Sequence, residues 1–372
     1  MKNPEKLLET IDSKSLTIST DSLDISFGEI SSMYEGGELE IRPAYQRLFR
    51  WSNTQQSQFI ESLLLGLPIP PIFVIETEAR KYELIDGLQR ISTYLHFTGS
   101  LPKQDKLKLS HCDIVPDLNN IVIDELSPAL RIKVKRSYVK MYIIKKESPA
   151  RIKYDMFKRL NTGGSLLEAQ EIRNSTIRFL SEQFIDFIQE LSNDNNFRGC
   201  LGYVQDYLLE RQFDDELVLR FFTLKNADLK RYQQERLETL AEFLTKYAEE
   251  VASKEVKFDY DLEKSVFTKT FAILNKTLGK DVFSKDGKSS AQFHAFHYEA
   301  ISVATASIIN QLDINNATHC EQIKNNILEL KQDTKFKEAT ENKKQKRTSG
   351  SDYLTFLNKR IVIATQFVSK NF

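Results

Sequence analysis

A change of hydrophobic period near residue 175 constrains this 372-residue chain more than any other feature. Before it, apolar stretches of strand length alternate with longer amphipathic ones; after it, every apolar pattern repeats at the helical period. The later segments are "TIRFLSEQFIDFIQEL", "DDELVLRFFTL", "RYQQERLETLAEFLTKYAEEVA", "AFHYEAISVATASIINQL", "CEQIKNNILELKQ" and "DYLTFLNKRIVIATQFVSK". None recurs at a fixed interval, so an irregular helical bundle is expected rather than a solenoid. The chain is thus read as α+β, a mixed α/β domain over 20–175 followed by a helical domain over 176–372.

The first half has legible punctuation. "SFGEISSMYEGG" predicts a short helix closed by Gly36 or Gly37. "ELEIRPAYQRLFRW" reads as an extended lead-in with a proline-fixed bend. Ser52 with Gln55 forms a capping box that opens a helix ending at Gly66, with Phe59, Leu63 and Leu64 on its buried stripe. "PPIFVIE" and "KYELID" predict a hairpin across the turn "TEARK". A helix follows in "LQRISTYLHF", directing Ile91, Tyr94, Leu95 and Thr98 at the sheet. Residues 100–130 are irregular and polar, an insertion. "RIKVKRSYVKMYIIKK" alternates as a strand does. Ser148 is placed as the cap of a helix beginning at Pro149 and ending at the turn "NTGG", after which Ser165 and Glu168 match a second capping box.

Composition decides little about partners: Lys plus Arg equals Asp plus Glu at 52 each, so any electrostatic argument must come from local clusters. Cys112, Cys200 and Cys320 are odd in number and widely spaced, which suits a reducing compartment better than a disulfide framework. "MKNPEKLLETIDSKS" lacks the apolar core of a signal peptide. The most membrane-like run, "FIESLLLGLPIPPIFVIE", is cut by Gly66, Pro68, Pro70 and Pro71. A soluble cytoplasmic protein with no membrane partner is expected.

Three stretches carry side chains that a plain connection does not need. In "YELIDGLQRISTYLHF" a strand ends at Asp86, Gly87 permits a left-handed turn, and a helix starts at once. Unpaired N–H groups at such a terminus favour an anion, and Arg90 adds a guanidinium suited to phosphate. A cation in the first turn opposes the helix dipole, so either a bound anion or a carboxylate partner is expected beside it. Asp86 is positioned to hold a metal or orient a water, and Gln89 to bond a phosphate oxygen or a base edge. The alternative is that Asp86 caps the helix and Arg90 pairs with Asp86 or Glu83.

"IRPAYQRLFRW" interleaves Arg42, Arg47 and Arg50 with Tyr45, Phe49 and Trp51, the only tryptophan of the chain. That pattern suits phosphate contact with base stacking, or an aromatic staple fixing the start of the Ser52 helix. "FKRLNTGGSLLEAQEIRNS" puts Asn161, Thr162, Gly163 and Gly164 before another helix, with Glu171 and Arg173 a turn beyond; it is a second anion corner or a glycine-capped turn. It lacks the lysine–hydroxyl pair of a Walker loop. Two basic stretches, 131–146 with Lys133, Lys135 and Arg136, and 335–347 with Lys343, Lys344 and Arg347, are nucleic-acid contacts or solvated faces. The five histidines complete no zinc spacing, and neither a serine elbow nor a His-Asn-His pattern is present.

"RPAYQRLFRW", "YELIDGLQRISTYLHF" and "FKRLNTGGSLLEAQEIRN", in that order, resemble the signature blocks of the GmrSD restriction-endonuclease N-terminal domain family, over about residues 20 to 175. The resemblance implies a ParB/sulfiredoxin-like small mixed sheet with helices. It also implies a nucleotide pocket in which Asp86, Gly87, Gln89 and Arg90 occupy the D-G-Q-Q-R block, associated with NTP hydrolysis. Tyr45, Gln46 and Arg47 match the Y-Q-R block lining the same pocket. Leu88 stands where the family usually has a second glutamine, which puts hydrolysis in question, and nothing here resembles the His-Asn-His nuclease domain that restriction members often add.

The implied function is a nucleotide-binding, NTP-hydrolysing component of a bacterial anti-phage defence system, using Mg²⁺ through Asp86 and gating DNA or a separate partner nuclease. The expected catalytic residues are Asp86, Gln89 and Arg90. The expected nucleotide contacts are Tyr45, Gln46, Arg47, Gly87, Arg90, Asn161, Thr162 and Gly163. The competing classes are a DNA-binding or DNA-cleaving ParB-like module without NTPase activity, and a non-catalytic adaptor.

Overall fold

The computed structural model describes residues 4–15, 19–41, 49, 51–78, 80–102, 104–161, 169–209, 211–235, 237, 239–285, 292–341 and 351–372. The chain divides into two compact units, Met1–Leu166 and Leu167–Phe372. The division lies upstream of the 175/176 boundary expected from the sequence. The helix Ala169–Ile177 is bonded into the second unit, through Arg173 to Glu216 and through Asn174 to Asp215.

In the first unit the elements run α1 (Pro4–Ser15), β1 (Thr20–Ser26), α2 (Phe27–Glu35), β2 (Leu39–Glu40), α3 (Asn53–Leu65), β3 (Ile72–Glu76), β4 (Tyr82–Asp86), α4 (Leu88–Thr98), α5 (Pro128–Arg136), β5 (Tyr138–Ile144) and α6 (Ala150–Asn161). The strands form one mixed sheet, ordered β1-β5-β3-β4-β2. β3 and β4 make the expected antiparallel hairpin, while β3 runs parallel to β5 and β4 parallel to β2. Ile72, Val74, Ile75, Leu84 and Ile85 are buried on the strands, against Phe27, Ile30, Phe59, Ile60, Ile91 and Leu95 from the helices. The Phe27 ring joins α2 to its neighbours, 5.8 Å from Phe59 and 5.3 Å from Tyr94.

The local signals explain the boundaries. Ser52 and Gln55 form the complete capping box of α3, and Gly66 closes that helix in the left-handed conformation. Residues 104–127 lie along α3 as two short 3-10 turns and coil. The buried Glu61 carboxylate accepts from Ile114 N at 3.0 Å and Val115 N at 2.6 Å, and Ser57 Oγ accepts from Ser110 N at 2.9 Å. One reading needs correction: residues 128–136, taken with 138–144 as a single alternating strand, are a separate helix. Ser127 caps it by accepting from Leu130 N, and Pro128 sits in its first turn. These two signals outweigh the Ile132–Val134 alternation. Ser148 Oγ bonds both backbone groups of Ser19, tying the end of β5 to the start of β1.

The second unit is helical: α7 (Ala169–Ile177), α8 (Glu182–Ser192), α9 (Asn195–Cys200), α10 (Asp206–Leu209), α11 (Phe213–Asn226), α12 (Leu229–Gln234), α13 (Leu240–Ala252), α14 (Tyr260–Thr277), α15 (Ala295–Ser307), α16 (Ala317–Gln332), α17 (Thr334–Glu341) and α18 (Ser351–Val368). Two expected single helices are each broken in two, at 178–181 and near 235–239. Phe197, Phe221, Phe267, Phe271 and Tyr298 form its aromatic centre. Among the described residues no helix is long and apolar enough to cross a membrane.

Candidate functional site

The hairpin ends in an irregularity. Val74 faces Leu84 and Phe73 faces Asp86, so Ile85 has no counterpart and β4 bulges in its last residues. A bulge re-aims the side chains beside it. Here it sets Asp86 opposite Phe73, at the start of β3. Gly87 then takes φ 104°, ψ 8°, and α4 begins with no side-chain cap. A Cβ on Gly87 would stand 2.5 Å from Ile72 Cγ2. Glycine is therefore required twice over, for its torsion and for the approach of Ile72.

This predicts a contrast. Gly87→Ala should cost about 2–4 kcal/mol, summing left-handed strain and overpacking against the fully buried Ile72. Gly66→Ala, with φ 76° and open space around it, should cost only about 1–2 kcal/mol. Urea unfolding of the two variants checks the difference.

Arg90, in the first turn of α4, meets the conflict with the helix dipole through a carboxylate. Its Nη2 donates to Asp86 Oδ2 at 2.9 Å and to the Pro71 carbonyl at 3.0 Å. The pairing half of the alternative in the sequence is thus realised, and the capping half is not. The pair is not sealed off, since the side chains of Arg90 and Asp86 are 17% and 34% exposed. Arg90 Nε is buried and finds no acceptor among the described residues. A buried N–H left unbonded costs about 1–3 kcal/mol, so this guanidinium has a standing demand for one more oxygen.

The Gln89 side chain reaches back to the lead-in of α3. Its Oε1 accepts from Trp51 N at 3.1 Å, which joins the second sequence block to the first. Two residues missed in the sequence complete the connection. Gln56 Nε2 donates to Trp51 O at 2.8 Å, and Gln56 Oε1 lies 2.7 Å from His96 Nδ1. Because the Gln56 amide nitrogen is used on Trp51, its oxygen must accept from the imidazole. Burial holds the His96 imidazole below its usual range, partly offset by a bond to the Asp105 backbone. No local motif marks this network, because Gln56 and His96 lie on separate helices.

The other expected residues fall as follows. Tyr45, Gln46, Arg47, Thr162, Gly163, Lys343, Lys344 and Arg347 lie outside the described residues, as do Arg42, Arg50, Ser165 and Glu168. Asn161 ends α6, which packs against β4. Glu171 and Arg173 are buried in the second unit, Arg173 paired with Glu216 at 2.5 Å, and serve its core. Lys133, Lys135 and Arg136 are exposed on α5, a helix with four basic residues and no acidic one.

Comparison with known proteins places this corner in a family. No curated protein and no solved structure matches the chain. The profile of the GmrSD restriction endonuclease N-terminal domain matches residues 29–178, from α2 through β2–β5 and the Gly87 corner to α7. Residues 29–178 therefore belong to the GmrSD restriction endonuclease N-terminal domain family.

Proposed function

We propose that the first unit binds a nucleoside triphosphate at the Gly87 corner and hydrolyses it with Mg²⁺. It would be the nucleotide-dependent component of a bacterial anti-phage defence system, its nucleotide state gating DNA or a partner nuclease. The domain match supports a restriction-type defence protein. The observation that carries the nucleotide reading is the Arg90 guanidinium, with its unbonded Nε, in the uncapped first turn of α4.

In this reading the N–H groups of Leu88 and Gln89 and the Arg90 fork take phosphate oxygens, and Asp86 holds Arg90 in place until the anion arrives. Among the described residues no three His, Cys, Asp or Glu side chains lie close enough together to cage a metal. The half-exposed Asp86 carboxylate nevertheless suits Mg²⁺, which commonly binds through one carboxylate and the substrate phosphates. Bound there, Mg²⁺ would neutralise phosphate charge. Phosphoryl transfer asks the protein mainly for positioning and charge stabilisation, which a rigid strand–turn–helix corner supplies. Leu88 brings no amide to orient a water.

The test is nucleotide binding and turnover, measured for all four NTPs with and without Mg²⁺. Arg90→Ala should weaken binding about a hundredfold, the loss of roughly two charge-assisted hydrogen bonds. Arg90→Lys should fall between Ala and parent, keeping charge but not the fork. Binding and turnover of Arg90→Ala equal to the parent's would overturn the reading.

A second reading is favoured by α5. Arg131, Lys133, Lys135 and Arg136 are all exposed on it, a surface suited to DNA phosphates. Salt-dependent DNA binding that needs no nucleotide, lost on Lys133→Glu with Arg136→Glu, would select a DNA-binding module instead.

A further inference from the structure

We infer that Gln56, Gln89 and His96 are positioning residues of the nucleotide site, an assignment that rests on the nucleotide reading above. Both backbone groups of Trp51 are held by side chains: its N–H by Gln89 at 3.1 Å and its carbonyl by Gln56 at 2.8 Å. Two side-chain bonds on one loop peptide fix its orientation as well as its place. His96 then orders Gln56 through Nδ1, and its ring meets Phe49 edge-on, centroids 6.3 Å apart. The Trp51 ring lies at 5.6 Å from Phe59 of α3. The clamp therefore holds Phe49 and Trp51 to the two helices α3 and α4.

Its consequence for the site follows from the sequence. Trp51 follows closely after Tyr45, Gln46 and Arg47, and Gln89 immediately precedes Arg90. The clamp thus ties the helical turn that bears Arg90 to Trp51, in the lead-in to α3. In this role the Gln89 side-chain oxygen holds the Trp51 backbone, while the Gln89 N–H stays with the helix start. Gln56 is buried, with its amide nitrogen on the Trp51 carbonyl and its oxygen on His96.

Trp51, the only tryptophan of the chain, reports on the clamp directly. The experiment uses the full chain and compares the parent with Gln56→Leu, Gln89→Leu, His96→Leu and His96→Asn. Asn keeps an N–H donor near the position of Nδ1. Trp emission and acrylamide quenching are read without nucleotide, and affinity is read with MgATP and MgGTP. The three leucine variants should shift emission to the red, raise quenching, and weaken nucleotide binding about tenfold, the loss of one part-buried hydrogen bond. His96→Asn should restore both readouts toward the parent, which a purely space-filling role would not do. Gln89 is more exposed than Gln56, so at least its variant should keep the parent's unfolding midpoint. Leucine variants that bind nucleotide as tightly as the parent, or that leave Trp51 emission unchanged, overturn the assignment alone. A parent that binds neither nucleotide overturns the nucleotide reading and the assignment together.

Discussion

Glu299→Ala should destabilise the second unit by about 3–5 kcal/mol, the largest single-residue effect expected in the chain. Glu299 is fully buried on α15 and accepts from Arg220 Nη1 at 2.8 Å and Arg360 Nη2 at 3.0 Å. Arg220 also pairs with Glu216 at 2.6 Å, and Glu216 with Arg173 at 2.5 Å, so five charges join α7, α11, α15 and α18. Arg360 lies over the Phe296 ring, 4.1 Å from its centroid. Burial alone would push the Glu216 carboxyl up, but Arg220 and Arg173 more than offset this and hold it below its usual range.

Removing Glu299 takes from Arg220 and Arg360 the carboxylate they share, and leaves the three guanidinium groups of this network with Glu216 as its one remaining carboxylate. The cost is that of uncompensated buried charge rather than of a lost attraction. The comparison is Glu329→Ala, which removes a half-exposed pair with Lys370 and should cost less than about 1 kcal/mol. Urea unfolding of both variants decides the matter; equal, small losses would mean the network carries no weight.

That network was not legible in the sequence, and the reason is physical. Arg220 and Glu299 sit within helical patterns whose charged positions read as the solvated side. Only the meeting of four helices buries them. The Trp51 clamp was hidden for the same reason, since amides far apart in sequence have no shared spacing. What was legible rests on short-range chemistry. The Ser52–Gln55 box, the helix stop at Gly66, the left-handed Gly87 and the β3–β4 hairpin are each specified within a few residues, and all are realised. The Asp86–Gly87–Gln89–Arg90 corner was legible as a place, because a glycine and an arginine there oppose ordinary helix starts. The Asp86–Arg90 pair was one of the two readings the sequence offered; the Pro71 carbonyl on Arg90 and the Trp51 backbone on Gln89 were not, since they depend on where the start of β3 and the lead-in to α3 come to lie. The helix at 128–136 shows two local signals in conflict, with the Ser127–Pro128 start prevailing over a period-two apolar pair.

The second large effect is on pH. His297 on α15 is buried, its Nδ1 3.0 Å from the Ser284 carbonyl, which it must reach as an N–H donor. Burial first, and then the neighbouring Lys331, pull its pKa down to about 3, with smaller contributions from His294 and Lys285. The unfolded chain binds a proton near pH 6.5, where the folded unit does not. Stability is therefore full above about pH 6.5 and is lost as pH falls toward 3, by roughly 4–5 kcal/mol at the limit. Asp215 works in the opposite sense. Burial raises its pKa to about 6, although bonds from Ser192 and Asn174 pull it back. Its folded form takes up a proton before the unfolded chain does, so falling pH relieves a cost of roughly 3 kcal/mol between about 6 and 4. The parent should thus hold its stability nearly level between about pH 6 and 4, where the two effects cancel, and lose it below 4. Asp215→Asn should expose the full His297 slope from pH 6.5 downward, while His297→Asn, which keeps a donor for Ser284, should flatten the acid limb. Urea unfolding at pH 7, 5.5, 4.5 and 3.5 reads all three chains, and an acid limb unchanged in His297→Asn would remove His297 as its cause.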